Sequence, residues 1–243
     1  MKAFSSNQRR GFTLIETVIA IGVLAVLLTG FIIVFTPAAD GIRKTISTQQ
    51  ADRLTSALEQ ELVTLRGTEE TDEFKTGFGK AYKLIEESDA AETAILVYQY
   101  RGKLSGERRP DGTLEPEPSV ENKSPGKEFL VVPMARTKDD TAFLEDLAAV
   151  EGPVYLVKCT QLIFEANELV LGEPGKIKYR KEGETTYTNS SDADEYEEAV
   201  IAFAADFYQM PTNASGFFSG PEFAKRFESV KTPVFSRNLA VRR

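Results

Sequence analysis

An almost unbroken apolar stretch near the N-terminus, from Phe12 to Phe35, constrains this chain more than any other feature. As an α-helix, these 24 residues would be about 36 Å long, which is enough to cross the hydrocarbon core of a bilayer. One ionisable side chain, Glu16, lies near the start of the stretch. A carboxylate there costs on the order of 2–3 kcal/mol in lipid. The sequence therefore predicts a membrane helix whose carboxylate needs a specific partner.

The charges on either side of the stretch predict its orientation. Three cations and no acidic residue precede it, namely Lys2, Arg9 and Arg10. Both acidic and basic residues follow it, beginning with Asp40. Positively charged flanks stay in the cytoplasm. We therefore expect a single-pass membrane protein, with its N-terminus in the cytoplasm and its large domain outside.

Three ordinary interpretations of this segment fit less well. A secretory signal peptide has a shorter apolar region and a small-residue exit motif, whereas the small residues here, Ala38 and Ala39, follow a proline without that motif. A twin-arginine signal would explain Arg9 and Arg10, but no cofactor-binding motif follows that would require export of a folded protein. A plain membrane anchor leaves Glu16 without a role.

The residues RRGFTLIETVIAIGVLAVLL, 9–28, resemble the prepilin-type N-terminal signature of type IV pilins and of the pseudopilins of type II secretion systems. The resemblance implies that a prepilin peptidase cuts between Gly11 and Phe12 and that Phe12 becomes an N-methylated N-terminus. It also implies that Glu16 acts in subunit assembly by neutralising the N-terminal ammonium of a neighbouring subunit, because an ion pair in a low dielectric is far more favourable than two separate charges. The simpler interpretation of Glu16 is an acid favoured at a helix N-terminus by the macrodipole.

Two departures from the pattern of many type IV pilins favour a minor pilin or a pseudopilin. The proline nearest to the apolar stretch is Pro37, at its outer end, so no proline kinks the span itself. The chain has a single cysteine, Cys159, and cannot close the C-terminal disulfide loop that many pilins have.

The remaining chain divides by its patterns. We predict a leader peptide at 1–11, a transmembrane half of the helix at 12–36, an amphipathic half at 37–67 and an extracytoplasmic domain at 68–243. Apolar residues that recur mostly three, four or eight positions apart predict the amphipathic half of the helix. These residues are Ile42, Ile46, Leu54, Leu58, Leu62 and Leu65. We expect a bend near Pro37 to Gly41 and an end at Gly67.

Short runs rich in β-branched and aromatic residues predict strands in the outer domain, at 94–100, 128–134, 153–164 and 176–180. Helices are predicted at 138–150 and 220–230, and segment 196–208 is ambiguous, with helix favoured by its alanines. The predicted fold class is α+β. Following the resemblance, it is a pilin-like fold in which the long N-terminal helix packs on a small, mostly antiparallel sheet with a long surface insertion.

Two polar segments and one cysteine complete the candidate features. Residues 102–127 are rich in glycine, proline and charge, which predicts a mobile surface loop. Asp192, Asp194 and Glu195 are candidate calcium ligands in an acidic stretch, although their spacing differs from the EF-hand pattern and a plain acidic turn is the alternative. Cys159 lies in an apolar strand and is predicted to be an inert core residue.

Composition argues against most other functions. The chain has no histidine, one cysteine and a net charge of −8, which disfavours nucleic acid as a partner and excludes hydrolases that use a catalytic histidine. We therefore expect a structural subunit and not an enzyme, with no cofactor apart from the candidate calcium. Its expected partners are the prepilin peptidase, other pilin or pseudopilin subunits, the inner-membrane assembly platform and membrane lipid. A non-polymerising, membrane-anchored binding protein or adhesin is the alternative, and a secreted enzyme that uses paired carboxylates such as Asp192 and Asp194 is a third hypothesis.

Overall fold

A computed structural model of the chain describes residues 13–66, 74–165, 168–181, 183–184 and 186–243. The chain divides into two units after Gln50. The helices are α1 (Leu14–Val63), α2 (Gly77–Glu87), α3 (Thr141–Asp146), followed by a 3-10 turn (Leu147–Ala149), α4 (Ser215–Ser219) and α5 (Pro221–Ser229). The strands are β1 (Ile95–Lys103), β2 (Phe129–Thr137), β3 (Val150–Glu165), β4 (Glu168–Leu171), β5 (Lys178–Tyr179), β6 (Thr188–Asn189), β7 (Val200–Gln209) and β8 (Phe235–Arg242).

The N-terminal unit is the apolar part of α1. Its residues Leu14–Phe31 have a mean hydropathy of 2.3, and none of them is buried. By length and composition this segment is a helix capable of crossing a membrane. The predicted leader 1–11, with the first residue of the predicted span, lies outside the described residues.

The second unit is built on one antiparallel sheet. Its strands lie in the order β2-β1-β3-β7-β8, and β4 pairs with the far end of β3. The short strands β5 and β6 form a separate antiparallel pair. A long N-terminal helix followed by such a sheet is an α+β fold of the pilin-like kind, as predicted from the sequence.

One face of the sheet, which we call the first face, shares a buried cluster with the later part of α1 and with α2. Leu54, Leu58 and Leu62 recur every four residues, so they lie on one side of the helix, and each is 1% exposed. The strands contribute residues at alternate positions, among them Ile95, Val97, Val157, Phe203 and Phe207. The burial of these three leucines agrees with the amphipathic pattern read from the sequence. The helix ends at Val63, four residues before the predicted end at Gly67, which itself is not among the described residues.

The opposite side of the sheet, the second face, packs against aromatic residues from the short helices. Phe143 of α3, Phe218 of α4 and Phe223 of α5 are fully buried there. Leu96, Tyr98, Leu156 and Tyr208 of the strands belong to the same cluster. These helices confirm two predictions, because α3 begins after the capping residue Asp140 and α5 begins at Pro221.

Segment 196–208 corrects the sequence interpretation, because it forms strand β7 and not a helix. Ile201, Phe203, Ala205 and Phe207 alternate along the strand and are all buried in the cluster of the first face. Its alanines favour a helix locally, but a strand between β3 and β8 buries one face completely, and this tertiary gain exceeds the local propensity. Helix α2 and strand β8 were not predicted.

The insertion between β1 and β2 has more contacts than a solvated loop would have. Thr113 and Glu117 are buried, and Glu117 forms an ion pair with Lys123. Two backbone hydrogen bonds join the insertion to β1. The N–H of Lys103 donates to the carbonyl of Glu115, and the N–H of Glu117 donates to the carbonyl of Arg101. The mobility of 102–127 stays a prediction, but this segment is fastened to the sheet edge.

A buried carboxylate, Asp146, fastens the insertion from its other side. Tyr98 donates to it at 2.6 Å, Arg109 of the insertion at 2.8 Å and Arg136 of β2 at 3.1 Å. Arg136 also binds Asp111 of the insertion at 2.9 Å. Burial raises the pKa of Asp146, although the donors favour its charged form. A buried charge requires such partners, so this network fixes the insertion in one position over the sheet.

A second ionic cluster joins the end of α1 to α2 through Glu61. Arg66 donates to both carboxylate oxygens of Glu61, and Lys80 donates to its Oε1 atom at 2.9 Å. Lys80 also donates to the carbonyl of Thr64 at 2.8 Å. Burial alone would raise the pKa of Glu61, but the hydrogen bond from Arg66 and the charge of Lys80 hold this pKa below its ordinary value. The charged form of Glu61 therefore stabilises the fold.

We expect Glu61→Gln to lower the free energy of unfolding at pH 7 by about 3 kcal/mol, because it leaves buried cations without their carboxylate. A carboxylate with a lowered folded-state pKa stabilises the fold above its unfolded-state pKa, and this contribution disappears as the pH falls through the folded-state pKa. The difference between wild type and variant should therefore shrink below pH 4.5, the ordinary value for Glu61. Denaturant unfolding of the detergent-solubilised protein at several pH values measures this difference in unfolding free energy. The substitution Glu59→Gln, at an exposed position of the same helix, is the control. A difference that is independent of pH would contradict this assignment.

Candidate functional site

Helix α1 begins with reciprocal hydrogen bonds between Thr13 and Glu16. The Oε2 atom of Glu16 accepts the backbone N–H of Thr13 at 2.8 Å and its hydroxyl at 2.7 Å. In return, the N–H of Glu16 donates to the Oγ1 of Thr13 at 3.3 Å. This is a capping box, in which a threonine at the N-cap and a glutamate three residues later satisfy donors that a helix start leaves open. Our sequence analysis did not single out Thr13, although the Thr-x-x-Glu spacing before an apolar run signals this motif.

In the described part of the apolar segment, the hydroxyl groups of two further threonines also have hydrogen-bond partners. Thr17 donates to the carbonyl of Thr13 at 3.2 Å, and Thr29 donates to that of Ala25 at 2.8 Å. Such bonds back to the preceding turn let a threonine lie in an apolar environment. The side chains around them are apolar and exposed on all sides of the helix. This surface requires lipid or other apolar helices.

Glu16 is thus one carboxylate on a helix that is otherwise suited to hydrocarbon. Its Oε2 atom is used in the capping box, while its Oε1 atom makes no hydrogen bond to any residue that the structure describes. The helix start therefore positions the carboxylate through its Oε2 atom. Gly11 and Phe12, the predicted cleavage and methylation residues, lie outside the described residues. The assembly role of Glu16 stays a prediction.

The acidic stretch that supplied the candidate calcium ligands forms a turn. Asp192 accepts the N–H groups of Asp194 and Glu195 at 2.8 and 2.9 Å, and Glu195 accepts the hydroxyl of Ser191 at 2.5 Å. In the described part of the chain, no group of three or more Asp, Glu or Cys side chains is arranged to hold a metal ion. Two of the three candidate carboxylates therefore serve the turn itself, and calcium binding stays a hypothesis.

The calcium hypothesis has a direct test because the carboxylate of Asp194 takes no part in the hydrogen bonds of the turn. If the site binds calcium, the ion should raise the melting temperature of the wild type, since a ligand stabilises the state that it binds. Asp194→Asn should then remove the calcium effect and leave the melting temperature in chelator unchanged. Melting that does not respond to calcium would remove Asp192, Asp194 and Glu195 as ligands.

Cys159 lies in the core of the first face, as the sequence predicts. It is 1% exposed, and its N–H donates to the hydroxyl of Ser88 at 2.9 Å. Burial raises the pKa of its thiol to about 12. The thiol is therefore protonated and inaccessible, and thiolate chemistry is excluded at this residue.

One comparison with known proteins identifies the N-terminal segment. Residues 6–32 match the family described as the prokaryotic N-terminal methylation motif. No curated protein and no solved structure is significantly similar to the chain. The match contains the predicted cleavage position, the capping box and most of the apolar stretch, and it leaves the outer domain without a relative.

This motif indicates a membrane-anchored structural subunit that is processed by a prepilin peptidase and associates with other subunits of its kind. The exposed apolar surface of α1 and the antiparallel sheet that follows it in the chain agree with this motif. The N-terminal segment of this chain is that of a prepilin-type protein, the class that comprises pilins and pseudopilins.

Proposed function

We propose that the chain is cleaved between Gly11 and Phe12, N-methylated at Phe12, and assembled through α1 into a type IV pilus or a secretion pseudopilus. The observation that supports this best is a positioned carboxylate, Glu16, at the start of an exposed apolar helix within the methylation motif. In this proposal the outer domain faces away from the cytoplasm and is carried by the filament. The assembly platform of the inner membrane adds the subunits.

Electrostatics explains how Glu16 would serve assembly. Cleavage before Phe12 creates an ammonium group beside the apolar stretch, and an isolated charge in hydrocarbon is costly. The Oε1 atom of Glu16 on a neighbouring subunit offers that ammonium a partner in a low-dielectric environment. Neighbouring subunits would then be in the correct axial register when the ammonium of one is paired with Glu16 of the other.

The span without proline and the single cysteine support a minor pilin or pseudopilin over a major pilus subunit. One observation favours the alternative, a membrane-anchored protein that does not polymerise. Glu16 already has a partner within its own chain, Thr13, so its geometry at the helix start does not require a neighbour. The capping and charge-pairing roles of Glu16 must therefore be separated by experiment.

The first test is the identity of the mature N-terminus. We expect the intact mass of the membrane-extracted protein to correspond to a chain that starts at methylated Phe12. Gly11→Val should keep the leader attached, because a larger residue before the cut obstructs the peptidase site. A mature chain that starts at Met1, or after the apolar stretch, would contradict the proposal and favour an anchor or a signal peptide.

The second test separates the two roles of Glu16 by crosslinking adjacent N-terminal helices in membranes. Glu16→Gln preserves the capping box, since glutamine also serves at that position, but it removes the charge. We expect this variant to insert and to be cleaved, and to lose the helix crosslinks that the wild type forms.

The matched control is Thr13→Ala, which removes the capping hydroxyl and keeps the charge. It should retain the crosslinks, because the loss of an N-cap costs only about 1 kcal/mol. If Glu16→Gln assembles like the wild type while Thr13→Ala does not, Glu16 is a helix-start residue and the charge-pairing mechanism is wrong.

A further inference from the structure

A groove lies between the later part of α1, the insertion and strand β2. We call it the α1–β2 groove. Its volume is about 660 Å³, which is the size of many binding sites. Its lining combines polar side chains with apolar ones, among them Arg53 and Gln60 of α1, Arg108 and Leu114 of the insertion, and Val132 and Met134 of β2.

The edge of the sheet in this groove is not suited to pairing with another strand. Strand β2 is the first strand of the sheet, and edge strands offer unpaired backbone groups to other segments. Pro133, in the middle of β2, lines the groove and has no N–H to donate. The groove therefore fits a partner that binds through its side chains.

Two arginines of the groove have no carboxylate partner among the described residues. Arg53 is exposed and forms neither a hydrogen bond nor an ion pair with any of them. Arg108 is also exposed, and its side chain donates only to the carbonyl of Gly112 at 2.9 Å. Both guanidinium groups therefore retain donors for a ligand.

The carboxylates that line the groove are already paired with other cations. Asp52 forms an ion pair with Arg237 of β8 at 3.1 Å. Glu61 is bound by Arg66 and Lys80. These two acids do not neutralise Arg53 and Arg108, so the groove is cationic within a chain whose net charge is −8.

The chemistry of the groove specifies its ligand. An arginine can bind a carboxylate through two parallel hydrogen bonds. Apolar surface beside such a pair excludes water and strengthens it, and Leu114, Val132 and Met134 supply that surface. The ligand that fits is a short segment with two carboxylates, one for each arginine.

A segment of this kind is present in the chain itself, in the acidic turn at 192–198. Five of its seven residues are acidic, and none of them forms an ion pair with a described residue. Asp192 and Glu195 are used in the hydrogen bonds of the turn. Asp194 and Glu197 are exposed, and their carboxylates make no hydrogen bond in the described part of the chain. The turn therefore offers two carboxylates three positions apart.

The acidic turn of a chain is not at its own groove. Asp194 lines a separate depression beside helix α2, together with Phe78 and Tyr82. No described residue of the turn lines the α1–β2 groove, and neither Arg53 nor Arg108 bonds to it. The two surfaces therefore belong to different parts of the molecule, and they can meet when two molecules associate.

We propose that the α1–β2 groove binds the acidic turn of a second copy of this chain, with Arg53 and Arg108 paired to Asp194 and Glu197. Each copy then offers its groove to one neighbour and its turn to another. Such a contact is heterologous, and a heterologous contact that does not close into a ring continues as a helical filament.

This inference deepens the proposed function and rests on it. Copies that associate through α1 are held at a high effective concentration, at which a few ion pairs suffice for contact. The later part of α1 itself lines the groove, so the occupant lies beside the helix through which copies associate. Copies with a net charge of −8 repel one another, and opposite charges at the contact offset this repulsion and determine which surfaces meet.

The test is a crosslink between two differently tagged copies of the full-length protein in the same membranes. One copy carries Ser56→Cys in the groove, and the other carries Ala199→Cys beside the acidic turn, both at exposed positions. A short bismaleimide should join the two tags. Two copies that carry the same cysteine should give only background, because the contact is heterologous. Cys159 is buried in every variant and does not contribute.

Reversal of the groove charges should weaken this crosslink. Arg53→Glu with Arg108→Glu in the copy that carries Ser56→Cys should lower the yield about ten-fold, as expected for the loss of interfacial ion pairs. Asp194→Arg with Glu197→Arg in the other copy should restore it. Arg53→Glu alone removes no hydrogen bond to a described residue, so its expected loss of yield cannot be attributed to misfolding.

The matched control is Arg226→Glu with Lys231→Glu, which changes the net charge equally at two exposed cations outside the groove. It should leave the yield unchanged. The proposal is overturned by the absence of the mixed crosslink, by a predominance of crosslinks between identical cysteines, or by a yield that ignores the groove charges. An equal loss in the control, or a loss that the reversed turn does not restore, would also overturn it.

Crosslinks between N-terminal helices are measured in the same membranes. If these persist while the groove–turn crosslink is absent, the groove interface is wrong and the proposed assembly through α1 stands. If the helix crosslinks are absent in the wild type, the proposed function is wrong. A groove–turn crosslink that still responds to both charge changes would then support the interface independently of α1.

Discussion

Hydrocarbon offers no hydrogen bonds, and this property of the bilayer governs the apolar N-terminal segment of the molecule. Helix α1 meets this constraint because its backbone hydrogen bonds lie within the helix. The hydroxyl groups of Thr17 and Thr29 also donate to carbonyl groups of the preceding turn. The one charge in the stretch, Glu16, is held at the helix start by Thr13. A side chain that is costly in lipid is thereby fixed where the helix has unsatisfied donors and where a new N-terminus would arise.

The outer domain depends on a different balance, between apolar burial on both faces of the sheet and a few buried ions. Leucines of α1 fill the cluster of the first face, and phenylalanines of the short helices fill that of the second face. Two carboxylates add ion pairs to this packing, since Asp146 joins the insertion to β2 and α3, and Glu61 joins the end of α1 to α2. A buried charge with several donors stabilises one geometry, because any other arrangement leaves it unpaired.

The features that could be predicted from the sequence are those that depend on residues close together in the chain. Periodicity, length and capping residues predicted the apolar stretch, the leucines of α1, strands β1 to β3, the helices at Asp140 and Pro221 and the buried Cys159. The capping box of Thr13 and Glu16 is equally local, but it was recognised only in the structure. The calcium ligands, the cleavage site and the assembly role of Glu16 are predictions that the fold leaves untested.

Only the tertiary structure decided features that depend on residues far apart in the chain. Segment 196–208 became strand β7, because pairing with β3 and β8 outweighs the helical preference of its alanines. Arg109 meets Asp146, 37 positions along the chain, and no local pattern announces such a pair. Sequence determines periodicity within a segment, whereas register between strands is set by the burial of the whole sheet.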